Sequence, residues 1–303
     1  MFTKTAGFRH DSIPAAIAAV QQLGAANGFG VDQTEDAGAF TAANLARYRA
    51  VMFLLTTGDV LDDTQQAAFQ RYIEGGGGFV GVHSAADTEH DWPWYGGLVG
   101  AYFLSHPAIQ TAQIDVSDPR DPSTAALPAV WTRTDEWYNF ASDPRPSVHV
   151  LMTLDEGTYD PGDGAMGADH PVSWSHAYDG GRAWYTALGH TDSSYSEPLF
   201  LGFLLGGIRY AASPPTLHIS SLTAAVSGDR VRVTVDVVGC ETCTATARLT
   251  VGGKTVSSGL RFAGGTATGV LAPVPSGRGR LFVAATDAAT GTTNSASRPV
   301  HVR

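Results

Sequence analysis

The distribution of aromatic residues divides this chain of 303 residues into two parts that need different kinds of core. All 6 Trp, all 10 Tyr and 11 of the 13 Phe precede Ser213, and a Pro214-Pro215 pair follows it. Because proline restricts its own backbone and that of the residue before it, such a pair is typical of a joint between domains. We therefore predict one domain over residues 1–213 and a second over residues 214–303.

Apolar segments alternate with helical patterns in the first part, which indicates a mostly parallel sheet with helices on both faces. Residues 50–55 (AVMFLL) and 79–82 (FVGV) suit strands that are buried on both sides. Helices are predicted after Ser12, after Asp62 or Asp63, and from Glu197 to Ala211. Residues 171–188 predict a hairpin that turns at Asp179-Gly180.

The second part alternates with period two, most clearly in residues 230–237 (RVRVTVDV). This pattern predicts an all-β, immunoglobulin-like sandwich of about seven strands. Trp and Tyr are absent there, so we expect a spacer or packing partner and no strong carbohydrate binding. The two cysteines of the chain, Cys240 and Cys243, predict one local disulfide, since a single C-x-x-C is a weak zinc motif.

Charge and hydropathy exclude several classes of partner. With a net charge of −10 and only 19 Lys and Arg, the chain is expected to bind no nucleic acid and to favour neutral substrates. The longest apolar stretch, residues 199–205, is far shorter than the roughly 18 residues of a membrane span, so no membrane partner is expected. We predict a secreted protein whose signal peptide has been removed from this sequence.

A polar residue stands where one buried strand should end, in the segment GGGGFVGVHSA over residues 75–85. Small residues on either side of His83 suit a tight turn that presents a side chain at the carboxyl edge of a sheet, where α/β proteins bind ligands. The alternative is that His83 only caps a helix or holds a loop.

Polar residues recur after other apolar runs, which favours a shared cleft over an isolated histidine. The residues in question are Arg9 and His10, His106, Asp135 and Glu136, and His190. Several strand ends would then converge around His83.

Three segments carry a resemblance to a known family: residues 8–14 (FRHDSIP), the GGGFVGVHSA stretch, and residues 135–138 (DEWY). Together they resemble the trehalose-utilisation (ThuA-like) domain family over roughly residues 1–212. The resemblance implies a flavodoxin-like fold similar to class I glutamine amidotransferases and a role in sugar metabolism. His83 then occupies the elbow where those enzymes carry a nucleophilic Cys, and neither cysteine of this chain lies in that domain, which excludes thioester chemistry.

Two mechanisms stay open for the cleft. In the first, His83 transfers protons with Glu136 or Asp87, assisted by His190, His10 and the cation of Arg9, and cleaves a glycoside by hydrolysis or elimination. In the second, some of the histidines and Glu136 bind a divalent transition metal such as zinc, although no tight ligand motif is present. No cofactor is certain from the sequence.

Aromatic residues near these motifs predict a face on which sugar rings stack. The expected substrate-binding residues are Ser84, Trp92, Tyr95, His106, Trp137 and Tyr138. A loop packed by its own aromatics explains the same pattern equally well. The predicted function is a secreted carbohydrate-active enzyme, and the alternative is a non-catalytic sugar-binding protein on a degenerate amidotransferase-like scaffold. The sequence predicts neither the sugar nor the oligomeric state.

Overall fold

The computed structural model describes residues 1–213, 217–238, 243–263, 265–287 and 293–302. The chain divides into two compact units, Met1–Ser213 and Pro214–Arg303, and each has its own hydrophobic core. Within the described residues, none of the helices has the length and apolarity needed to cross a bilayer.

The first unit combines helices with a seven-stranded sheet. Its helices are α1 (Ile13–Asn27), α2 (Ala42–Leu45), α3 (Asp63–Glu74), α4 (Pro93–Val99) and α5 (Pro198–Ala212). Its strands are β1 (Ala50–Leu54), β2 (Gly78–Val82), β3 (Phe103–Ser105), β4 (Gln110–Val116), β5 (Val130–Asp135), β6 (Asn139–Phe140), β7 (His149–Asp155), β8 (Pro171–Tyr178) and β9 (Gly181–Thr186).

The large sheet has the order β1-β2-β9-β8-β7-β4-β5, and β3 pairs with β6 apart from it. Five of its seven strands point in one direction, which confirms a mixed α/β fold with mostly parallel strand directions. Among the strands of the large sheet, β1–β2 and β2–β9 pair in parallel, whereas the other four pairs are antiparallel. The tight turn at Asp179-Gly180 forces β8 and β9 to run in opposite directions, whereas no comparable turn motif was recognised between β4 and β5.

Helices cover both faces of the parallel half, as predicted there. On one face, Phe53 of β1 stacks on Phe69 of α3 with ring centroids 5.3 Å apart. On the other face, Trp184 of β9 packs on Phe203 of α5 at 4.8 Å. Burial on both faces explains why β1 and β2 are continuous apolar runs.

Helix ends follow local sequence signals, with one exception. Asp62 and Gln65 form a capping box at the start of α3, and Gly28 ends α1 in the left-handed conformation. Ser12 stands at the N-cap of α1, but its hydroxyl donates to the carbonyl of His190 at 2.7 Å instead of capping the helix. This bond ties the start of α1 to the turn after β9.

The described part of the second unit consists of strands that pair in an antiparallel sheet. The strands are β10 (His218–Ser227), β11 (Arg230–Val238), β12 (Cys243–Val251), β13 (Lys254–Ala263), β14 (Thr266–Leu271), β15 (Gly277–Asp287) and β16 (Thr293–Val302). Their order is β10-β11-β14-β13-β12-β15-β16, and Arg298 of β16 donates to the carbonyl of Leu222 on β10 at 2.9 Å.

Contact between the first and last strands makes this unit barrel-like, with alternate valines filling the interior. An all-β unit is therefore confirmed, whereas the immunoglobulin-like arrangement of two separate sheets is not. The predicted disulfide involves Cys240, which lies outside the described residues.

Candidate active site

Four side chains meet at the carboxyl edge of the sheet: His83 directly after β2, His190 shortly after β9, Glu136 directly after β5, and His10 just before α1. The ends of β2 and β9 adjoin because these strands are parallel neighbours. Strand β5 lies at the far edge of the sheet from β1, so Glu136 reaches the group only because the sheet curls.

Strained backbone presents His83 at the end of β2. Its φ of 53° lies in the left-handed region, which a residue with a side chain rarely adopts. The ring donates through Nδ1 to the carbonyl of Ala187 at 2.6 Å, and the backbone carbonyl of His83 accepts from Tyr185 at 2.8 Å. The ring of Tyr138 lies 4.2 Å from that of His83. The imidazole is therefore held with Nε2 directed into the cluster.

A glycine is needed to present His190. Gly189 has a φ of 105°, and a Cβ there would lie 2.9 Å from the hydroxyl of Tyr195. That hydroxyl already donates to the carbonyl of Gly189 at 2.9 Å. Any side chain at position 189 would therefore collide with Tyr195. The glycine allows the turn that places the next residue, His190, in the cluster.

Three ligand-type atoms form a triangle in the cluster. His83 Nε2 and Glu136 Oε2 are 3.2 Å apart, as are His190 Nδ1 and Glu136 Oε2, and His190 Nδ1 and His83 Nε2. One donor atom of His10 lies within 4.8 Å of these three. Three imidazoles and a carboxylate in this arrangement can share protons or hold a cation.

The second oxygen of Glu136 faces the solvent side of the cluster. Oε1 lies 3.2 Å from Nδ1 of His106, and the same nitrogen donates to the backbone carbonyl of Pro107 at 2.9 Å. The side chain of His106 is 43% exposed, whereas that of His83 is fully buried. The side chain of His190 is 19% exposed. A substrate therefore meets His106 and His190 first.

Burial and hydrogen bonds set the protonation of the cluster. Burial alone would raise the pKa of Glu136, but the neighbouring rings of His190 and His83 lower it far below its usual value. Burial likewise lowers the pKa of His190, but the hydrogen bond and charge of Glu136 raise it overall. Burial and the neighbouring His83 and His190 lower the pKa of His10 to about 3. The site thus holds an ionised carboxylate beside a neutral His10.

A buried ion pair supports the two turns that carry Glu136 and His190. The carboxylate of Asp135 accepts the backbone N–H groups of Glu136, Gly189 and His190 at 3.0, 2.9 and 3.1 Å. Arg133 lies 3.2 Å from the same carboxylate and donates to Ser194 at 2.7 Å. Asp135 therefore joins the end of β5 to the turn after β9.

Alternation in β5 could have revealed this pair. Trp131, Arg133 and Asp135 occupy alternate positions and are all buried, so an arginine and an aspartate share the inward face of one strand. Oppositely charged residues on a buried face indicate an internal ion pair. The sequence prediction named Asp135 only as a carboxylate near Glu136 and did not consider Arg133.

Other predicted catalytic residues lie beside the cluster and pair elsewhere. Arg9 forms an exposed ion pair with Glu35 at 2.8 Å. Asp87 accepts from His90 at 3.0 Å. Neither residue bonds to a member of the cluster, so the assistance to proton transfer that the sequence predicted for Arg9 has no contact to support it. Ser84 is buried, with its hydroxyl 3.5 Å from Nδ1 of His10, at the limit of a hydrogen bond.

Most of the predicted stacking aromatics are core residues. Tyr95 and Trp137 are fully buried and donate to the carbonyls of Ala85 and Gln110 at 2.8 Å each. Trp92 is partly buried and stacks on Trp94 at 4.9 Å. Tyr95 and Trp137 thus expose no face to a sugar, which corrects the sequence prediction, and Tyr138 lies beneath His83.

The sequence prediction missed one exposed aromatic ring at the site. Phe8 is 67% exposed, and its ring packs edge-on against His10 with centroids 4.9 Å apart. A single exposed phenyl ring is common on protein surfaces and does not by itself indicate a binding site. This ring, however, borders the cluster. Its position directly before Arg9-His10 was the available signal.

Comparisons with known proteins agree with this fold. The family model ThuA, described as trehalose utilisation, matches residues 1–211. The structure of a ThuA-like protein from Bacteroides uniformis has a TM-score of 0.61 at 24% identity, covering 71% of this chain and 91% of its own. One from Parabacteroides merdae has a TM-score of 0.59 at 21% identity, covering 70% and 89%. No curated protein matches the sequence. Through its first unit, the chain belongs to the ThuA family.

Proposed function

We propose that this protein is a carbohydrate-active enzyme that cleaves a glycosidic linkage by hydrolysis or elimination at the pocket around Glu136. The observation that carries this proposal is that the two carboxylate oxygens of Glu136 lie in different environments. Oε2 faces the buried His83 and His190, and Oε1 faces the half-exposed His106, each at 3.2 Å. A histidine backed by a carboxylate suits proton transfer near neutral pH.

We propose His106, and not His83, for the substrate-facing proton transfer. His83 is fully buried and donates to Ala187, so it orients the cluster from beneath. Glu136 stays ionised because the neighbouring His190 and His83 lower its pKa, and it therefore accepts or orients protons and does not supply them. His106 can give a proton to a leaving oxygen in a hydrolysis or, where the sugar carries a carbonyl group, take a proton from the carbon beside that carbonyl in an elimination.

A neutral sugar fits the surroundings of this pocket. The family description, trehalose utilisation, supports a disaccharide as the substrate class. The net charge of −10 disfavours anionic glycans. Phe8 offers an exposed ring beside His10 on which the apolar face of a pyranose can stack.

We further propose that the protein is secreted. Its second unit, the barrel-like one, would be an accessory module related to immunoglobulin-like domains. The absence of Trp and Tyr beyond Ser213 supports the accessory role, because these are the rings on which sugars usually stack. Carbohydrate binding then falls to the first unit.

The test is turnover of a panel of neutral disaccharides, including trehalose, by the full chain, with products weighed by mass spectrometry. Hydrolysis gives products that sum to substrate plus water, and elimination gives products that sum to the substrate alone. We expect His106→Ala to lower kcat by about 100-fold or more, since a positioned acid–base group contributes about 10²–10⁴-fold.

His149→Ala is the matched control, because His149 is an exposed histidine that pairs with a carboxylate, Asp118, away from the cluster. It should retain full turnover. Calorimetric binding of a disaccharide without any product from the unaltered protein would reject catalysis and favour the non-catalytic sugar-binding alternative. Equal turnover by His106→Ala and the control would reject the role of His106.

A further inference from the structure

The triangle formed by His83 Nε2, His190 Nδ1 and Glu136 Oε2 has the size of one face of a metal coordination shell. Each edge is 3.2 Å. A tetrahedral ion with ligand bonds of about 2.0–2.1 Å separates its ligand atoms by about 3.3–3.4 Å. The three atoms would therefore need to move by only about a tenth of an ångström to coordinate one ion.

With His83 neutral, protons alone leave part of this triangle without a partner. Because His83 donates through Nδ1 to Ala187, its Nε2 carries a lone pair in the neutral ring. A proton on Nδ1 of His190 can point to His83 or to Glu136, but not to both. Nε2 of His83 and Oε2 of Glu136 are then two buried acceptors that lie 3.2 Å apart with no proton between them, which is energetically costly. A single cation gives all three atoms a partner.

The second layer of contacts fits metal ligands. The bond from His83 to Ala187 fixes the tautomer and the direction of the ring, as is usual for histidines that bind metals. Asp135 fixes the backbone of both Glu136 and His190. Oε1 of Glu136 keeps its own contact with His106, so coordination through Oε2 leaves the proposed proton-transfer pair in place.

The fourth donor, His10, is more distant than the other three. Its ligand nitrogen lies within 4.8 Å of theirs, and its ring centroid is 4.9 Å from that of His83 and 5.0 Å from that of His190. Metal sites that act on substrates hold three or so protein ligands and keep a position open for water or substrate. The partly exposed side of His190 gives that position access to solvent.

We propose that His83, His190 and Glu136, with His10 as a fourth and looser ligand, bind one divalent transition-metal ion of the zinc class. Imidazole nitrogens with one carboxylate favour zinc, cobalt, nickel or iron over magnesium and calcium, which take oxygen ligands. When bound, such an ion supplies Lewis-acid activation of a water or a substrate oxygen. The binding itself does not depend on the glycosidase or lyase function.

The test uses the full chain, stripped with a chelator and dialysed, and titrated with Zn²⁺ by calorimetry and with Co²⁺ by visible absorption. We expect one equivalent of each ion, with Co²⁺ showing the intense visible bands of a tetrahedral or five-coordinate site. Glu136→Gln and His190→Ala should each weaken Zn²⁺ binding by about 100-fold or more, since changes in the second layer alone cost about 10–100-fold. His149→Ala should bind as the unaltered protein does.

Circular dichroism and thermal melting of each variant show whether weaker metal binding comes from the loss of a ligand or from unfolding. Glu136→Gln and His190→Ala both alter side chains that reach the solvent side of the cluster. Absence of a stoichiometric Zn²⁺ or Co²⁺ equivalent in the unaltered protein would overturn the proposal, as would equal affinity in folded Glu136→Gln and His190→Ala. Metal binding without disaccharide turnover would reject only the proposed function. Turnover without metal binding would reject only the metal site.

Discussion

Replacing Asp135 by alanine is expected to lower the free energy of unfolding of the first unit by about 3–5 kcal/mol, the range for removing one partner of a buried ion pair. Asp135 is fully buried and accepts three backbone N–H groups in addition to its ion pair with Arg133. The substitution leaves those donors unpaired and weakens the hold on a buried guanidinium. Urea unfolding followed by tryptophan fluorescence measures the change, because all 6 Trp lie before Ser213.

The matched control is Asp115→Ala on β4, where the carboxylate is exposed. It should change the unfolding free energy by less than about 0.5 kcal/mol. The double variant Arg133→Met/Asp135→Leu removes both charges and should recover part of the loss, since apolar groups can replace a buried ion pair. It cannot recover the three backbone acceptors. A loss below about 1 kcal/mol in Asp135→Ala would contradict the supporting role assigned to this carboxylate.

Local patterns were sufficient to predict the parallel half of the fold. Strands β1 and β2 are continuous apolar runs because both faces are covered, and the glycines at 75–78 and at 180–181 mark the turns before β2 and between β8 and β9. His83 was recognisable because a polar residue ended a buried run. The structure also brings His10, Glu136 and His190 to it, as the repeated polar residues after apolar runs predicted.

The antiparallel half left weaker signals in the sequence. Strands β4 and β5 expose alternate residues, so their apolar content is low and their pairing depends on contacts distant in the chain. The curl that carries Glu136 to His83 depends on those pairings. For this reason the sequence indicated which residue types meet but not that His106 faces solvent while His83 is buried.

Aromatic side chains show a different limit of sequence reasoning. The spacing of Trp92, Tyr95 and Trp137 gives no information on whether a ring points outward or into the core. The hydroxyl of Tyr95 and the indole N–H of Trp137 donate to backbone carbonyls inside the protein. Phe8, whose side chain has no polar atom, is nevertheless exposed beside His10. The direction of a ring is decided by tertiary packing, which a single sequence does not display.

Two glycines of helix α5 are expected to respond to alanine with opposite signs. A Cβ on Gly207 would lie 2.3 Å from the indole ring of Trp184, which is fully buried on β9, whereas a Cβ on Gly202 would meet nothing within 4 Å. Gly202→Ala should raise the unfolding free energy by about 0.5–1 kcal/mol, because alanine restricts the unfolded chain and favours helix. Gly207→Ala should lower it by about 1–3 kcal/mol, because the helix must move away from the sheet or the indole must leave its rotamer.

The same fluorescence-detected urea titration measures both glycine variants, with far-ultraviolet circular dichroism as a second probe. Combining Gly207→Ala with Trp184→Leu isolates the collision, since a smaller side chain on β9 makes room for the new methyl group. The double variant should be less destabilised than the sum of the two single changes. If Gly207→Ala instead stabilised the protein as Gly202→Ala does, helix α5 would not pack against Trp184 as closely as the structure places it. In that case, the close packing of helix α5 on the sheet would not be the reason for a glycine at position 207. The same packing holds β9 in place and, through β9, the turn that carries His190.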